Sequence, residues 1–154
     1  MNTNSECDAV RVGKGISGSG VFASIAFPAT AVIGQIKGDL FKDDQLETDY
    51  TFQAAEGYLL EPRAPFRFLN HSCDCNCEFD WMTASDWKGD SESVEEGSLG
   101  GLYLSAIRNI SPGEELTIDY NWPADFAINC VCGSRNCRGY VVSIDEIGNL
   151  KNPV

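Results

Sequence analysis

Apolar residues in this chain come in short runs, each closed by glycine, proline or a polar cluster. Val10 to Phe22 opens with a strand-like run and is then punctuated by Gly13, Gly15, Gly18 and Gly20. Glycines at that spacing make a hairpin turn or let the backbone approach a ligand closely. Val21 to Ile25 continues as a strand, ended by Phe27-Pro28. Further strands are predicted at Ala31–Ile36, Tyr50–Gln53, Gly57–Leu60, Phe79–Met82, Leu102–Ile107 and Leu116–Tyr120. Lys37-Gly38-Asp39 is expected to turn, residues 39 to 49 to form an acidic loop, and Ile110 to Glu115 to turn around Pro112-Gly113. Pro62 and Pro65 break the run before a cysteine-rich stretch. Ser85 to Gly101 is polar and acidic and is expected to be an exposed loop, with a helix or disorder as the alternatives. No heptads and no repeat period appear. The pattern predicts a mainly β domain of many short strands.

The cysteines change the picture. Six of the seven fall into two groups: Cys73, Cys75 and Cys77, just after the only histidine (His71), and Cys130, Cys132 and Cys137. The second group, spaced C-x-C-x4-C, supplies three thiolates, and a closed tetrahedral zinc site needs four ligands. The fourth must come from elsewhere, with Cys73, Cys75 and Cys77 as candidates. Disulfides would require an oxidising compartment, and nothing at the acidic, polar N-terminus signals secretion. An iron–sulfur centre also takes four thiolates, but neither ferredoxin spacing is present. Structural zinc joining distant segments is the favoured reading.

At 154 residues the chain is expected to form one domain with a conventional core. It has no apolar run of membrane-spanning length, so a soluble, intracellular protein is expected. The formal net charge is −12, which argues against direct nucleic-acid binding through phosphates. It suits a basic, lysine-rich peptide partner, or simply maintains solubility. The dinucleotide fingerprint G-x-G-x-x-G is not matched.

Four motifs then resemble one family in order. Gly18-Ser19-Gly20-Val21-Phe22-Ala23, Arg67-Phe68-Leu69-Asn70-His71-Ser72-Cys73, Gly113-Glu114-Glu115-Leu116-Thr117-Ile118-Asp119-Tyr120 and Cys130 to Gly139 are similar to the signature segments of SET-domain protein lysine methyltransferases. The last is similar to the zinc-binding post-SET segment. The resemblance implies the SET β-fold, several small sheets with a knot-like crossing of the NHSC and DY segments. It implies a SET domain over residues 1–124, with an acidic loop at about 85–101, and a zinc-stapled tail over residues 125–154. The implied activity is methyl transfer from S-adenosylmethionine to a lysine ε-amine, with histone tails among the family's best-known substrates and the nucleus as location in a eukaryotic histone-modifying case.

Residue by residue, the resemblance makes Tyr120 the catalytic tyrosine and Tyr50 a second active-site tyrosine. Gly18, Ser19 and Gly20 would contact the cofactor with Arg67, Asn70, His71 and Tyr58. Cys73, Cys130, Cys132 and Cys137 would hold one structural zinc ion. The chain departs from the family where Cys75 replaces the proline of NHSC-x-P-N, where Ile118 replaces a common aromatic, and where Tyr140-Val141-Val142 follows the C-R-G segment. The competing reading is a catalytically silent SET-like module binding a basic peptide. The joint presence of Asn70, His71 and Tyr120 favours the enzyme.

Overall fold

The structure, a computed structural model, describes residues 8–42, 51–55, 57–83 and 100–151. Its regular elements are short strands in four small sheets, with 3-10 turns and no α-helix among the described residues. The first hairpin pairs β1 (Val10–Gly15) with β2 (Gly18–Ala23), and Ile16-Ser17 make the turn. The strands β3 (Val32–Gln35), β4 (Gly38–Lys42), β5 (Phe52–Ala55) and β6 (Tyr58–Pro62) follow. A 3-10 turn at Phe66–Phe68 leads into β7 (Asn70–His71) and then β8 (Cys77–Met82). The remaining strands are β9 (Gly101–Ala106), β10 (Glu115–Ile118), β11 (Ile128–Asn129) and β12 (Tyr140–Val141).

The sheet order β1-β2-β10-β7 explains how distant motifs meet. β10 runs antiparallel to β2, with Leu116 opposite Val21, and parallel to β7, with Thr117 opposite Asn70 and Ile118 opposite His71. The two segments expected to cross therefore meet as a parallel pair. Asn76 extends the pairing. Its side-chain amide donates to Glu115 O (2.8 Å) and its carbonyl accepts from Thr117 N (2.9 Å), so one side chain stands in for a strand. Asn76 is 2% exposed, and burial there requires that both of its polar ends be satisfied. Val21, Leu104, Leu116, Ile118 and Phe66 belong to one core shared by the sheets, so the site rests on apolar packing.

Two expectations are corrected. Gly38 and Asp39 of the predicted turn and the start of the 39–49 loop are instead β4, whose Leu40 pairs with Leu60 of β6; residues 43–49 lie outside the described residues. Glycine and aspartate disfavour strands locally, but pairing over the whole strand outweighs that preference. The second is the strand predicted through Tyr120, which ends at Ile118. Tyr50 and nearly all of the predicted Ser85–Gly101 loop lie outside the described residues.

Candidate active site and metal centre

The site is assembled around the end of β10. Asn70 donates through Nδ2 to Ser19 O (3.0 Å) and to Glu115 Oε1 (2.7 Å). The first bond ties β7 to the first hairpin and the second ties it to β10. Glu115 lies so close over Gly20 that a Cβ there would collide with its carboxylate. Gly18 has a φ of +112°, and a Cβ added there would meet nothing within 4 Å. At Gly18 the hairpin thus presents bare main chain to open space, a ledge suited to a small-molecule ligand. Across from it, a Cβ at Gly133 of the tail would lie 3.6 Å from Ile16 Cδ1 at the hairpin tip.

A cavity of about 230 Å³ is walled by Phe52, Leu69, Phe79, Ile118, Tyr120 and Trp122, with Thr51, Gln53, Arg67, Asp119 and Asn121 completing its lining. Phe52 and Phe79 stack with centroids 4.9 Å apart. Tyr120 and Trp122 lie 5.4 Å apart, tilted by 31°. The Tyr120 hydroxyl donates to Leu69 O at 2.7 Å. A phenol that donates to a carbonyl behaves toward any further group as an acceptor. Arg67 forms an ion pair with Glu61 at 3.1 Å.

His71 is enclosed, its side chain 5% exposed. Its Nδ1 accepts from Tyr120 N at 3.1 Å, and its Nε2 lies 3.4 Å from Cys73 Sγ. Burial lowers its pKa, the Asp119 carboxylate opposes that, and Arg138 adds to it. Burial wins, so the ring is neutral at pH 7. Asp119 accepts from Arg138 Nη2 at both oxygens, 2.9 and 2.8 Å. The tail is thereby joined to the residue next to Tyr120.

The sulfur atoms of Cys73, Cys130, Cys132 and Cys137 all lie within 4.8 Å of one another. Zinc–sulfur bonds of about 2.3 Å in a tetrahedron place sulfurs roughly 3.8 Å apart, and Cys73 and Cys130 are 3.7 Å apart. The donor set and its spacing fit a four-thiolate metal ion. Ionisation is prepared unevenly. Burial opposes it at Cys132, yet hydrogen bonds from the Ser134 hydroxyl and from the Cys73 and Ser134 main chain bring that thiol down to about 5. Burial pushes Cys73 and Cys130 up. Cys75 and Cys77 stand outside the cluster: Cys77 is 1% exposed in the core, and burial pushes it to about 12.

Of the residues singled out in the sequence, Ser19 and Asn70 meet through a hydrogen bond, Gly20 packs under Glu115, and His71, Tyr120 and the four cysteines form one connected group. Tyr58 does not join them: it is 42% exposed at the start of β6. Sequence reasoning passed over Asn76, Arg138 and Trp122. The NHSC-x-x-N spacing, the C-R-G segment and the aromatic two positions after Tyr120 were the available signals.

These features define a small mainly β domain whose tail can be stapled by metal beside an aromatic cavity. The SET domain family model matches residues 18–121, more than half of the chain. The chain belongs to the SET domain family. Histone-lysine N-methyltransferase SETD1B of Homo sapiens is 29% identical over 112 residues, 70% of this chain and 5% of that protein. Histone-lysine N-methyltransferase trithorax of Drosophila virilis is 36% identical over 104 residues, 66% of this chain and 2% of that protein. The chain thus spans only a small part of these relatives. Among solved structures, KRYPTONITE in complex with mCHG DNA and SAH matches with a TM-score of 0.67 and 25% identity, over 86% of this chain and 28% of that one. Among the described residues no helix is long and apolar enough to cross a membrane.

Proposed function

We propose that the chain is an S-adenosylmethionine-dependent protein lysine N-methyltransferase with one structural zinc ion in its tail. The observation that carries this reading is the Tyr120 hydroxyl, set by Leu69 O in a cavity walled by Phe52, Phe79 and Trp122. S-adenosylmethionine supplies a methyl group already activated on a sulfonium. The chain must then align the acceptor, exclude water and stabilise positive charge without a strong base. Aromatic walls desolvate a lysine amine, which favours its neutral form. The Tyr120 oxygen, oriented as an acceptor, stabilises the cationic groups without pairing them with a full negative charge. Gly18, Ser19, Asn70 and main chain around His71 would hold the cofactor, with Arg67 nearby. Tyr58, exposed as it is, is the weakest member of that set. Tyr50 is proposed as a second active-site tyrosine on the resemblance of its sequence context alone.

Cys73, Cys130, Cys132 and Cys137 would hold the zinc, which would supply no chemistry to the reaction. It would pin residues 125–154 against the 1–124 body. The histone-lysine methyltransferase names of the relatives and the acidic charge support a basic, lysine-bearing peptide as substrate, a histone tail being the first to try. Such a substrate would place the protein in the nucleus of a eukaryotic cell. Calorimetric titration with S-adenosylmethionine, paired with labelled-methyl incorporation into a lysine-rich protein, tests the assignment on wild type and Tyr120→Phe. The variant is expected to bind cofactor as wild type does and to lose turnover by about a hundredfold or more. Absence of cofactor binding in the wild type would overturn it.

A further inference from the structure

Gly13, Gly15, Gly18 and Gly20 lie on one face of the first hairpin, and they do not serve one purpose. Gly13 stands opposite Gly20 and Gly15 opposite Gly18, and residues paired in this way share a face of the pleat. Of the four, only Gly18 has a left-handed backbone, and only there does an added Cβ meet open space. The other three adopt no conformation that requires glycine, so the space beside them decides. That space is filled by side chains. A Cβ at Gly13 would press on Arg11 Nη1 at 3.0 Å and on the Phe22 ring at 3.2 Å. A Cβ at Gly15 or Gly20 would collide with the Glu115 carboxylate and crowd Asn70 Nδ2, at 3.0 and 3.2 Å respectively.

Gly15 and Gly20 are diagonal neighbours across the hairpin. Over both lie Glu115 Oε1 and Asn70 Nδ2, joined at 2.7 Å. Glu115 belongs to β10, the strand between β2 and β7. It stands opposite Phe22, two positions along β2 from Gly20, so its side chain shares that face. From there it reaches over the hairpin on one side and to Asn70 of β7 on the other. Asn70 has two amide N–H bonds to give, and they go to Glu115 Oε1 and to Ser19 O. The amide is thereby held in one orientation beside Ser19, the residue next to the open main chain of Gly18. Any side chain at position 15 or 20 would push the carboxylate off Asn70.

We propose that Glu115 is a positioning residue for the cofactor: its carboxylate, seated on Gly15 and Gly20, fixes the Asn70 amide at the hairpin ledge. Those two glycines then admit an acid of the chain itself, and of the four only Gly18 is left to a ligand. The proposal deepens the cofactor assignment above and rests on it.

The experiment is a double-mutant cycle on the full chain. It is read by thermal denaturation without ligand and by calorimetric titration with S-adenosylhomocysteine. Gly20→Ala is expected to lower the denaturation midpoint when Glu115 is present and to change it little beside Glu115→Ala. An equal penalty in both backgrounds would overturn the proposal, because the glycine would then serve something other than the carboxylate. In the titration, Glu115→Ala should raise Kd about tenfold. Glu115→Gln keeps the shape and an acceptor for Asn70, and should stay within about threefold of wild type. In turnover of a lysine-bearing peptide, Glu115→Ala should raise KM for S-adenosylmethionine and leave KM for peptide unchanged. General loosening of the fold would not give that split. Glu115→Ala binding as tightly as wild type would overturn this proposal alone. A wild type that binds no cofactor would overturn the assignment on which it rests as well. Should Glu115→Ala not fold, Gly15→Ala and Gly20→Ala decide. Both should weaken binding by similar factors, and wild-type binding by both would overturn the proposal.

Discussion

At the scale of single residues, position in the cavity wall separates side chains that the sequence lists together. Ile118 is 1% exposed, part of both the core and the cavity wall. It brings no hydroxyl to hold a lysine amine in one orientation. Successive methyl transfers are therefore expected, and Ile118→Tyr should shift products toward monomethyl-lysine, read by mass spectrometry of the peptide. A wild type that stops at monomethyl-lysine under excess cofactor contradicts this role. The alternating cysteines separate in the same way. Spacing alone left Cys73, Cys75 and Cys77 open as the fourth ligand, because a turn at Cys73-Asp74, with Ser72 Oγ accepting from Asp74 N, is not visible as periodicity. That turn sends Cys73 to the tail and Cys77 to the core. With its thiol pushed to about 12, Cys77 is almost wholly protonated at pH 8, and only the thiolate reacts. Cys77 should stay unalkylated in the folded chain at that pH and react once it is denatured. Alkylation at the rate of a free thiol would place it outside the core.

At the scale of elements, β10 holds the site together, and one buried side chain serves as part of its edge. Asn76→Ala would leave Glu115 O and Thr117 N without their present partners, at a cost of about 2–4 kcal/mol. Asn76→Asp keeps an acceptor for Thr117 N but loses the donor to Glu115 O, and adds a charge in a buried place. Both should lower the denaturation midpoint, and Asn76→Ala should also weaken cofactor binding through its neighbours on β7. A change under about 0.5 kcal/mol in chemical denaturation would show that water replaces the amide without loss. The strands that packing decides were harder to read in advance. The hairpin of β1 and β2 was legible in its glycines. β4 was read as turn and loop, since its pairing with β6 depends on a distant segment. β11 and β12, two residues each, have no periodicity to detect, and they pair because the cysteine-bearing loop brings them together. The four motifs named the family, but not the hydrogen bonds joining Asn70 to Ser19 or Arg138 to Asp119.

For the whole molecule, the proposed zinc would make stability of the tail and competence of the cavity depend on one ion. A structural zinc contributes on the order of 10 kcal/mol of local folding free energy at neutral pH. Chelation, Cys73→Ser or Cys132→Ser should release one zinc per chain, expose residues 125–151 to protease and weaken cofactor binding, while the core around Val21, Leu104 and Leu116 stays folded. Cys75→Ser should retain the metal. The net charge of −12 adds a long-range effect. If it draws in a lysine-rich peptide, KM for peptide should rise with salt, since screening limits the field to about 8 Å near physiological ionic strength. A flat KM would leave the acidity to solubility. The central claim is that this metal-stapled aromatic cavity methylates lysine. It is tested most directly by incubating the zinc-loaded chain with S-adenosylmethionine and an array of lysine-bearing peptides, histone tails among them, and reading products by mass spectrometry. Methyl-lysine formed by the wild type and absent with Tyr120→Phe is the predicted result. Cofactor-bound, zinc-loaded protein that methylates none of the peptides, or a Tyr120→Phe variant as active as wild type, would contradict it.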